Sequence, residues 1–517
     1  MEESGSLPLY EYLFQCIRKD IQDGVLKDNE RMPSRRKLAQ HLSVSVSTVE
    51  AAYAQLLSAG YLYSKDRSGY YVSPGNGTGR YVPEFFACEI PERDSPIDFK
   101  ANKCSMKLFP MNTWARLMRQ VLSTQEPALY ETVPFGGLYV LRRAIAVYLY
   151  ENKGMRVSPS QILVGAGTEF LYGRLLQLLA AEAGSEYKRK GEPLLLALEE
   201  PGYRKFAHIA ESDGLSCVFI PMDRNGLRTD LLEESDASLA HVSPANEFPT
   251  GIVMTMERRQ ELLAWCREKR GRWIIEDDYD SELRFEGKPL PTLFAMDTDR
   301  QHVIYMNTFS KTMVPSLRIS YLVLPDRLME VYRERLNFYS CSVSGFEQSV
   351  LAKFISEGYF ERHISKLKRF YKKRKALVLQ ALTASPLGRI VKVRDCKVGT
   401  HLLLEIKTNL TDREIHEAAK ARGIELALLS DYCADQAEGT RGVLVLNFAN
   451  LDESNIGTAM RLLEDIFQKD ISQTELLQKD MIQKDMIQKD IIQKDTLQKD
   501  TLQKDALQKS ALQKSAF

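Results

Sequence analysis

The chain has 517 residues, of which 44 % are hydrophobic and 27 % charged, and its formal net charge is +1. At about 100–200 residues per domain, this length predicts several domains with enough apolar residues for large cores. The balanced charge excludes a chain that is basic overall, so contact with nucleic acid would have to come from a local patch.

The eight cysteines lie singly, and the sequence has no CxxC pair and no Cys/His spacing of a metal site. This usage is typical of reduced thiols, so we expect a cytoplasmic protein without a metal centre. The N-terminus lacks the basic and apolar segments of a secretion signal. The longest apolar runs are too short to span a bilayer.

Residues 1–73 predict a small unit of three helices and a hairpin. Apolar residues from Tyr10 to Ile21 fall at helical spacing, and Ser34 and Ser45 are predicted to cap two further helices joined by a tight turn. Tyr61–Tyr63 and Tyr70–Val72 then flank a polar turn. This order is typical of a winged helix-turn-helix, whose second motif helix enters the DNA major groove. A small helical bundle with a solvated charged face would show the same periodicity.

Local charge favours DNA binding, although acidic and basic residues are equal in number over residues 1–72. Cations cluster at the start of the second helix and on the hairpin, where they would contact phosphates and set affinity without reading sequence. The candidate DNA contacts are Arg35, Arg36, Ser45, Ser47, Thr48, Lys65 and Arg67.

The string PSRRKLAQHLSVSVSTVEAAYAQLLSAGYL closely resembles the winged helix-turn-helix of GntR-type bacterial repressors. The resemblance implies binding to double-stranded operator DNA. One departure concerns the recognition helix, where the family usually has Arg directly after the Ser and this chain has Val46. The missing Arg removes a candidate bidentate contact to guanine, worth about 1–3 kcal/mol of discrimination. We therefore expect an atypical target.

A Gly/Pro/Asn-rich stretch predicts a linker over residues 74–96, and a larger domain follows over 97–469. There, amphipathic helices such as Leu138–Glu151 and Met256–Lys269 alternate with short apolar runs, a pattern that predicts an α/β fold with a mainly parallel sheet. The predicted buried strands are Ile162–Val164, Leu194–Leu198, Val218–Ile220, Trp273–Ile275, Val303–Met306 and Ile319–Val323.

Residues 470–517 are built largely from a repeated pentad such as MIQKD or TLQKD. A period of five advances about 140° per repeat on a helix, so the apolar residues spiral and form no stripe. We interpret this segment as a low-complexity tail without a core of its own. An inert repeat expansion is favoured over a role in self-association.

A candidate Schiff-base lysine lies in the larger domain. Lys311 closes the string Thr308-Phe309-Ser310-Lys311 after a predicted strand, and Arg318 follows seven residues later. This pattern suits an aldehyde cofactor that bears a phosphate, because the lysine amine can bond the aldehyde while the hydroxyls and Arg318 hold the phosphate. An ordinary loop lysine is the alternative, since lysines are mostly exposed.

Three further elements of such a site follow other predicted strands. Asp277 and Tyr279 come after one strand, and a carboxylate there could pair with a pyridinium nitrogen. Gly167 and Thr168 lie between a strand and a helix, where backbone N–H groups can bind phosphate. Tyr203 offers an aromatic face for stacking on the ring.

The strings EEPGY, SPANEFPTG, IIEDDYDSELRF and NTFSKTMVPSLRISYLVLP resemble the MocR/GabR family. Its members fuse a GntR-type domain to a fold-type I aminotransferase-like domain and regulate transcription. The resemblance implies pyridoxal 5′-phosphate as cofactor, with Lys311 carrying the internal aldimine, Asp277 contacting the ring nitrogen and Tyr279 the 3′-oxygen. By the same resemblance the phosphate would be held by Gly167, Thr168, Ser310 and Arg318.

Two departures concern the substrate side of this site. Phe248 stands where aminotransferases usually have the Asn of Asn-Pro-Thr-Gly, after Asn246-Glu247 where relatives commonly have His-Gln. Val445 stands where they have the Arg that binds the substrate carboxylate. Losing that bidentate contact costs orientation and affinity. Arg204, Lys205 and Arg441 are the candidate substitutes.

Two functions remain open on the sequence. One is a cofactor-dependent regulator, in which an amine or amino-acid effector displaces Lys311 and shifts the DNA-binding units between two arrangements. The other is a working aminotransferase with an accessory DNA-binding domain. The missing carboxylate Arg favours the regulator, because turnover needs a fixed substrate pose. The resemblance also implies a homodimer, because such regulators bind two DNA half-sites and fold-type I pockets are usually built at a subunit interface.

Overall fold

The structure is a computed structural model that describes residues 7–66, 68–75, 97–100, 108–124, 126–190, 194–394, 396–434 and 439–476, with a few scattered residues after 482. Arg67, most of the expected linker and most of the repeat tail lie outside the described residues. The chain divides into two compact units, Met1–Asp94 and Ser95–Phe517. In the part of the chain that is described, no helix is long and apolar enough to cross a membrane.

The first unit is a three-helix bundle with a β-hairpin. Its elements are α1 (Leu9–Gln22), α2 (Arg35–Leu42), α3 (Val46–Ser58), β1 (Leu62–Lys65) and β2 (Gly69–Val72). Ser34 caps α2 and Ser45 caps α3, because each side chain accepts a hydrogen bond from a backbone N–H three residues later. Ser43 turns the chain between the two helices with a φ of 55°. The predicted winged helix-turn-helix is confirmed.

The second unit contains thirteen strands and twelve helices among its described residues. The strands are β3 (Ile97–Asp98), β4 (Ile162–Gly165), β5 (Leu195–Glu200), β6 (Ser216–Asp223), β7 (Gly226–Leu227), β8 (Leu239–Val242), β9 (Trp273–Asp277), β10 (Val303–Thr308), β11 (Ser320–Val323), β12 (Val391–Arg394), β13 (His401–Ile406), β14 (Ile424–Glu425) and β15 (Val443–Asn447). The helices are α4 (Met111–Thr124), α5 (Tyr139–Lys153), α6 (Thr168–Lys190), α7 (Lys205–Ser212), α8 (Thr229–Glu234), α9 (Met256–Glu268), α10 (Leu293–Met296), α11 (Asp326–Arg335), α12 (Gly345–Ser356), α13 (Tyr359–Ala384), α14 (Asp412–Ala421) and α15 (Ile456–Ile466).

An eight-stranded sheet with the order β4-β11-β10-β9-β8-β5-β6-β7 organises this unit. The five strands from β10 to β6 run parallel, whereas β11 is antiparallel to both of its neighbours. Alternate residues of β10 belong to different apolar clusters, Val303 and Tyr305 to one and Ile304 and Met306 to the other, because both faces of the sheet are covered. The predicted α/β fold with a mainly parallel sheet is confirmed.

Two smaller sheets complete the unit. β13 pairs antiparallel with both β12 and β15, and β3 pairs parallel with β14. The chain stays helical over residues 468–476, beyond the expected start of the tail. In this segment Ile471 is buried, Asp470 accepts a hydrogen bond of 2.7 Å from the Thr408 hydroxyl, and Glu475 forms an ion pair with Arg389.

The strands differ from their predicted extents mainly at their carboxyl ends. β9 continues to Asp277 and β10 to Thr308, past the last apolar residue at which the prediction stopped. These polar residues are buried, and in β10 the Asn307 amide donates a hydrogen bond of 3.0 Å to the Tyr305 hydroxyl while the Thr308 hydroxyl accepts one from Ser320. β8 was not predicted, because the four residues LAHV are too short to show a period.

Candidate functional sites

A cavity of about 500 Å³ lies in the second unit, where the parallel strands β5, β8, β9 and β10 end. The carboxyl ends of parallel strands are the usual place for ligands in open α/β sheets. Of the nine residues that the sequence predicted for the cofactor, all but Gly167 line this cavity: Thr168, Tyr203, Asp277, Tyr279, Thr308, Ser310, Lys311 and Arg318. Segments more than a hundred residues apart in sequence therefore converge on one space.

The predicted anion-binding end of the cavity is formed by hydroxyl groups and the start of α6. The Thr308 hydroxyl accepts hydrogen bonds from the Ser310 backbone N–H at 3.1 Å and from the Ser320 hydroxyl at 2.8 Å. The Ser320 hydroxyl is also 3.3 Å from that of Thr168. Three hydroxyls and a helix N-terminus thus meet where the sequence predicted a phosphate.

Gly167 lies against Arg318 at this end. Its φ is +94°, and a Cβ atom there would be only 2.7 Å from the Arg318 guanidinium. A larger residue would therefore both strain the backbone and displace the arginine. Gly167 and Arg318, which the sequence resemblance assigned to the phosphate, are therefore close neighbours in the structure.

Arg318 already has an acidic neighbour in this structure. Its Nη2 donates a hydrogen bond of 2.7 Å to Glu169, and Lys205 forms an ion pair with the same carboxylate. The hydrogen bonds from Lys205 and Arg318 lower the pKa of Glu169 below its usual value. Two cations around one carboxylate leave a net positive charge, which favours an anion.

Lys311 is half-buried, and its Nζ lies 6.0 Å from the centroid of the Tyr279 ring. The Tyr279 hydroxyl accepts a hydrogen bond of 3.1 Å from the Asn246 amide, which also donates to Asp280 at 2.9 Å. Burial raises the pKa of Asp280 well above its usual range, and the positive charge of Lys311 opposes this rise. Lys311, the Tyr279 hydroxyl and the buried Asp280 carboxylate thus form one polar cluster.

Asp277 is a buried carboxylate at the end of β9, and it faces His241 from the neighbouring strand β8. The His241 Nε2 is 3.8 Å from the Asp277 Oδ2 and has no hydrogen-bond partner among the described residues. On its other side, the His241 Nδ1 lies 3.5 Å from the Tyr172 hydroxyl. A buried carboxylate on the wall of the cavity can pair with a protonated ring nitrogen of a ligand.

The sequence prediction missed two buried acids on the cavity wall, Glu199 and Glu247. Glu199 accepts a hydrogen bond of 2.9 Å from the Ser243 N–H, and Glu247 accepts from the N–H and the hydroxyl of Thr250. Burial raises the pKa of Glu247 to about 8, and burial together with the charge of Glu247 raises that of Glu199 well above its usual range. The sequence offered a signal only for Glu199, which directly follows the predicted strand Leu194–Leu198.

Of the two departures from the aminotransferase pattern, Phe248 lines the cavity and Val445 lies in the apolar cluster against which Phe248 packs. The Phe248 ring packs edge-on against Tyr203, His401 and Tyr432, with centroids 5.1–6.1 Å apart. Val445 is buried in a small apolar cluster beneath Phe248 and Tyr432. Of the candidate substitutes for the missing arginine, Arg204 and Lys205 line the cavity. Arg441 does not line it, and its Nη2 donates to the Asn409 carbonyl instead.

The candidate DNA contacts of the first unit lie on α2, on the start of α3 and on the hairpin. Arg36 is exposed, while Arg35 forms an ion pair with Glu50 of α3. The Lys65 Nζ lies 4.8 Å from the centroid of the Tyr71 ring, an attraction that holds the cation on the hairpin. The Ser45 hydroxyl is 2.8 Å from that of Ser47 and 2.7 Å from that of Thr48.

Comparison with known proteins assigns both units to families. Residues 9–72 match the model for bacterial regulatory proteins of the gntR family, and residues 94–398 match that for aminotransferase class I and II. The HTH-type transcriptional regulator YdeL of Bacillus subtilis is 34 % identical over 462 residues, which cover 89 % of this chain and 96 % of YdeL. The probable rhizopine catabolism regulatory protein MocR of Rhizobium meliloti is 31 % identical, covering 90 % of this chain and 95 % of MocR.

Solved structures agree on the fold of the second unit. The multiple substrate aminotransferase of Thermococcus profundus matches with a TM-score of 0.62 at 22 % identity, covering 73 % of this chain and 92 % of that one. The α-aminoadipate aminotransferase LysN of Thermus thermophilus matches with a TM-score of 0.61 at 22 % identity, covering 72 % of this chain and 92 % of LysN. The chain therefore belongs to the MocR-type transcriptional regulators, which join a GntR-type helix-turn-helix domain to an aminotransferase class I and II domain.

Proposed function

We propose that this regulator binds operator DNA as a cytoplasmic homodimer and holds pyridoxal 5′-phosphate on Lys311. In the proposal, an amine or amino-acid effector enters the same cavity and alters DNA binding. The observation that carries it is the convergence of Lys311, Asp277, Tyr279 and the hydroxyl-lined anion-binding end on one cavity. In the proposal Lys311 bonds the cofactor's aldehyde, Asp277 pairs with its ring nitrogen, Tyr279 contacts its 3′-oxygen and the hydroxyls hold its phosphate.

The donor set fits the cofactor at both of its ends. The absence of a side chain at Gly167 lets the backbone lie close to the Arg318 guanidinium, and Thr168, Thr308 and Ser310 line the same cavity. At the other end, the buried Asp277 carboxylate would pair with the ring nitrogen, and Tyr203 would stack on the ring. When bound, the cofactor supplies an aldehyde that exchanges one amine for another.

The residues at the two departures, Phe248 and Val445, support sensing rather than turnover. An aminotransferase fixes its substrate through a bidentate arginine–carboxylate contact. Here the corresponding strand position is a valine packed in an apolar cluster, which offers no such contact. A sensor needs only a difference in affinity between two states, and about 1.4 kcal/mol of coupling changes DNA affinity tenfold.

The site assignment is tested with purified protein and two lysine variants. Wild-type protein and Lys288→Ala, which alters an exposed loop lysine, should gain visible absorbance with pyridoxal phosphate. Borohydride reduction should then fix the label on the peptide that contains Lys311. Lys311→Ala should gain neither absorbance nor label. A label on another lysine would contradict the proposal.

The sensing step is tested by titrating operator DNA with and without candidate amines. We expect DNA affinity to change when the cofactor-loaded wild type receives its effector, and to stay unchanged in Lys311→Ala. Multiple-turnover transamination at about 1 s⁻¹ or faster, a rate typical of enzymes, would instead favour a working aminotransferase.

A further inference from the structure

The exposed face of the recognition helix α3 carries no cation. The helix sequence, VSTVEAAYAQLLS, contains no Arg or Lys. Its exposed residues are Val46, Ser47 and Glu50 in the first two turns and Ala54, Gln55 and Ser58 further along. The most common specific contact to DNA, a bidentate Arg or Lys on guanine, is therefore not available from this helix.

The polar groups at the start of this face already have partners within the unit. The Ser45 hydroxyl accepts from the Thr48 N–H at 3.1 Å and lies 2.8 Å from the Ser47 hydroxyl. Glu50 forms its ion pair with Arg35. Val46, by contrast, is the first residue of the helix and remains 45 % exposed.

The surroundings of Val46 indicate DNA as the occupant of this face. The exposed Arg36 and Lys37 follow Arg35 at the start of α2, and Arg35 contacts Glu50, one turn after Val46 on the recognition helix; a further cation, Lys65, lies on the hairpin. Cations contact phosphates, while the first residues of the recognition helix contact base edges in the major groove. An apolar side chain at that position meets a base edge directly.

Only one group on the major-groove edge of B-DNA is apolar, the C5-methyl group of thymine. We propose that Val46 contacts a thymine methyl group and so selects thymine at a position where an arginine would select guanine. This inference rests on the proposed binding of operator DNA. It assigns Val46 as a specificity-determining residue and predicts one required thymine in each half-site.

The test begins with selection of binding sites from a random duplex library by the full-length protein. Wild type and Val46→Thr, which keeps one methyl group, should both select thymine at one position of each half-site. Val46→Arg should select guanine there. Val25→Ala is the matched control, because Val25 is an exposed valine outside the helix-turn-helix and its loss should leave the selected site unchanged.

The second step replaces the selected thymine by uracil, which removes only the methyl group. Wild-type affinity should fall about fourfold, the effect of one methyl group buried in the complex, and the salt dependence should not change. Val46→Arg should not distinguish the two bases.

Equal wild-type affinity for thymine and uracil at every selected position would overturn this inference and leave operator binding intact. The role of Val46 would also be overturned if Val46→Arg selected the same site as the wild type, or if the substitution changed only the oligomeric state. Failure of the wild type to retain any duplex would overturn operator binding as well. Circular dichroism and thermal unfolding confirm that each variant is folded.

Discussion

Arg35, the first residue of α2, forms an ion pair with Glu50 in the second turn of α3. The pair joins the two helices across their turn and gives the Glu50 carboxylate a positive partner. It also holds the Arg35 cation against the protein. The exposed Arg36 next to it is therefore the better candidate for a phosphate contact.

We predict that Arg36→Ala weakens DNA binding for every sequence and reduces the slope of log affinity against log salt by about one, because one phosphate contact is lost. Fluorescence anisotropy titrations at several salt concentrations measure both effects. Arg35→Ala is the comparison, and we expect a smaller change in slope. A wild-type slope in Arg36→Ala would show that this side chain does not contact the backbone.

We predict that Gly167→Ala lowers the affinity for pyridoxal phosphate at least tenfold, because the added Cβ meets the Arg318 guanidinium at 2.7 Å. Spectroscopic titration of the cofactor-free protein measures the affinity. Gly287→Ala is the matched control, since Gly287 also has a positive φ, +72°, but a Cβ there meets nothing within 4 Å. Both variants should lose about 1–2 kcal/mol of stability through the backbone, and only Gly167→Ala should lose cofactor affinity.

We predict that Glu247 makes the cofactor-free protein less stable as the pH rises. Its folded pKa is about 8 against 4.5 for the free side chain, so between these values the folded state holds a proton that the unfolded state has released. The free energy of unfolding should therefore fall by up to about 1.4 kcal/mol per pH unit across this range. In Glu247→Gln the slope of the unfolding free energy against pH should be smaller by the contribution of one proton. Urea unfolding at pH 5 to 8 measures this slope. An unchanged slope would contradict the assignment.

We predict that Lys153→Met destabilises the second unit by about 3–5 kcal/mol, because it leaves buried carboxylates without a counter-ion. Lys153 forms ion pairs with Asp278 and with Glu282, the latter at 3.0 Å, and Asp278 lies between Asp277 and Tyr279 in sequence. Acid should partly rescue the variant, since protonation removes the uncompensated charge. Denaturant unfolding at pH 5 and pH 8 tests this, with the exposed Lys288→Met as control.

The sequence predicted the parts of the site that follow strands along the chain, and it missed those that depend on strand order. Lys311 and Asp277 could be placed because each follows an apolar strand, and strand ends collect at one edge of a sheet. His241 could not, because its relation to Asp277 exists only once β8 lies beside β9, and the order of strands is not visible in one sequence. The same holds for Glu247, whose high pKa comes from burial.

The packed segment over residues 468–476 limits where the protein can be shortened. Because Ile471 is buried and Asp470 and Glu475 both contact the domain, ending the chain at residue 469, where the domain was expected to end, would expose the apolar surface under Ile471 and remove two polar contacts. A truncation placed after residue 476 keeps all three. Crystallisation and expression trials that aim to remove the repeats should therefore cut there.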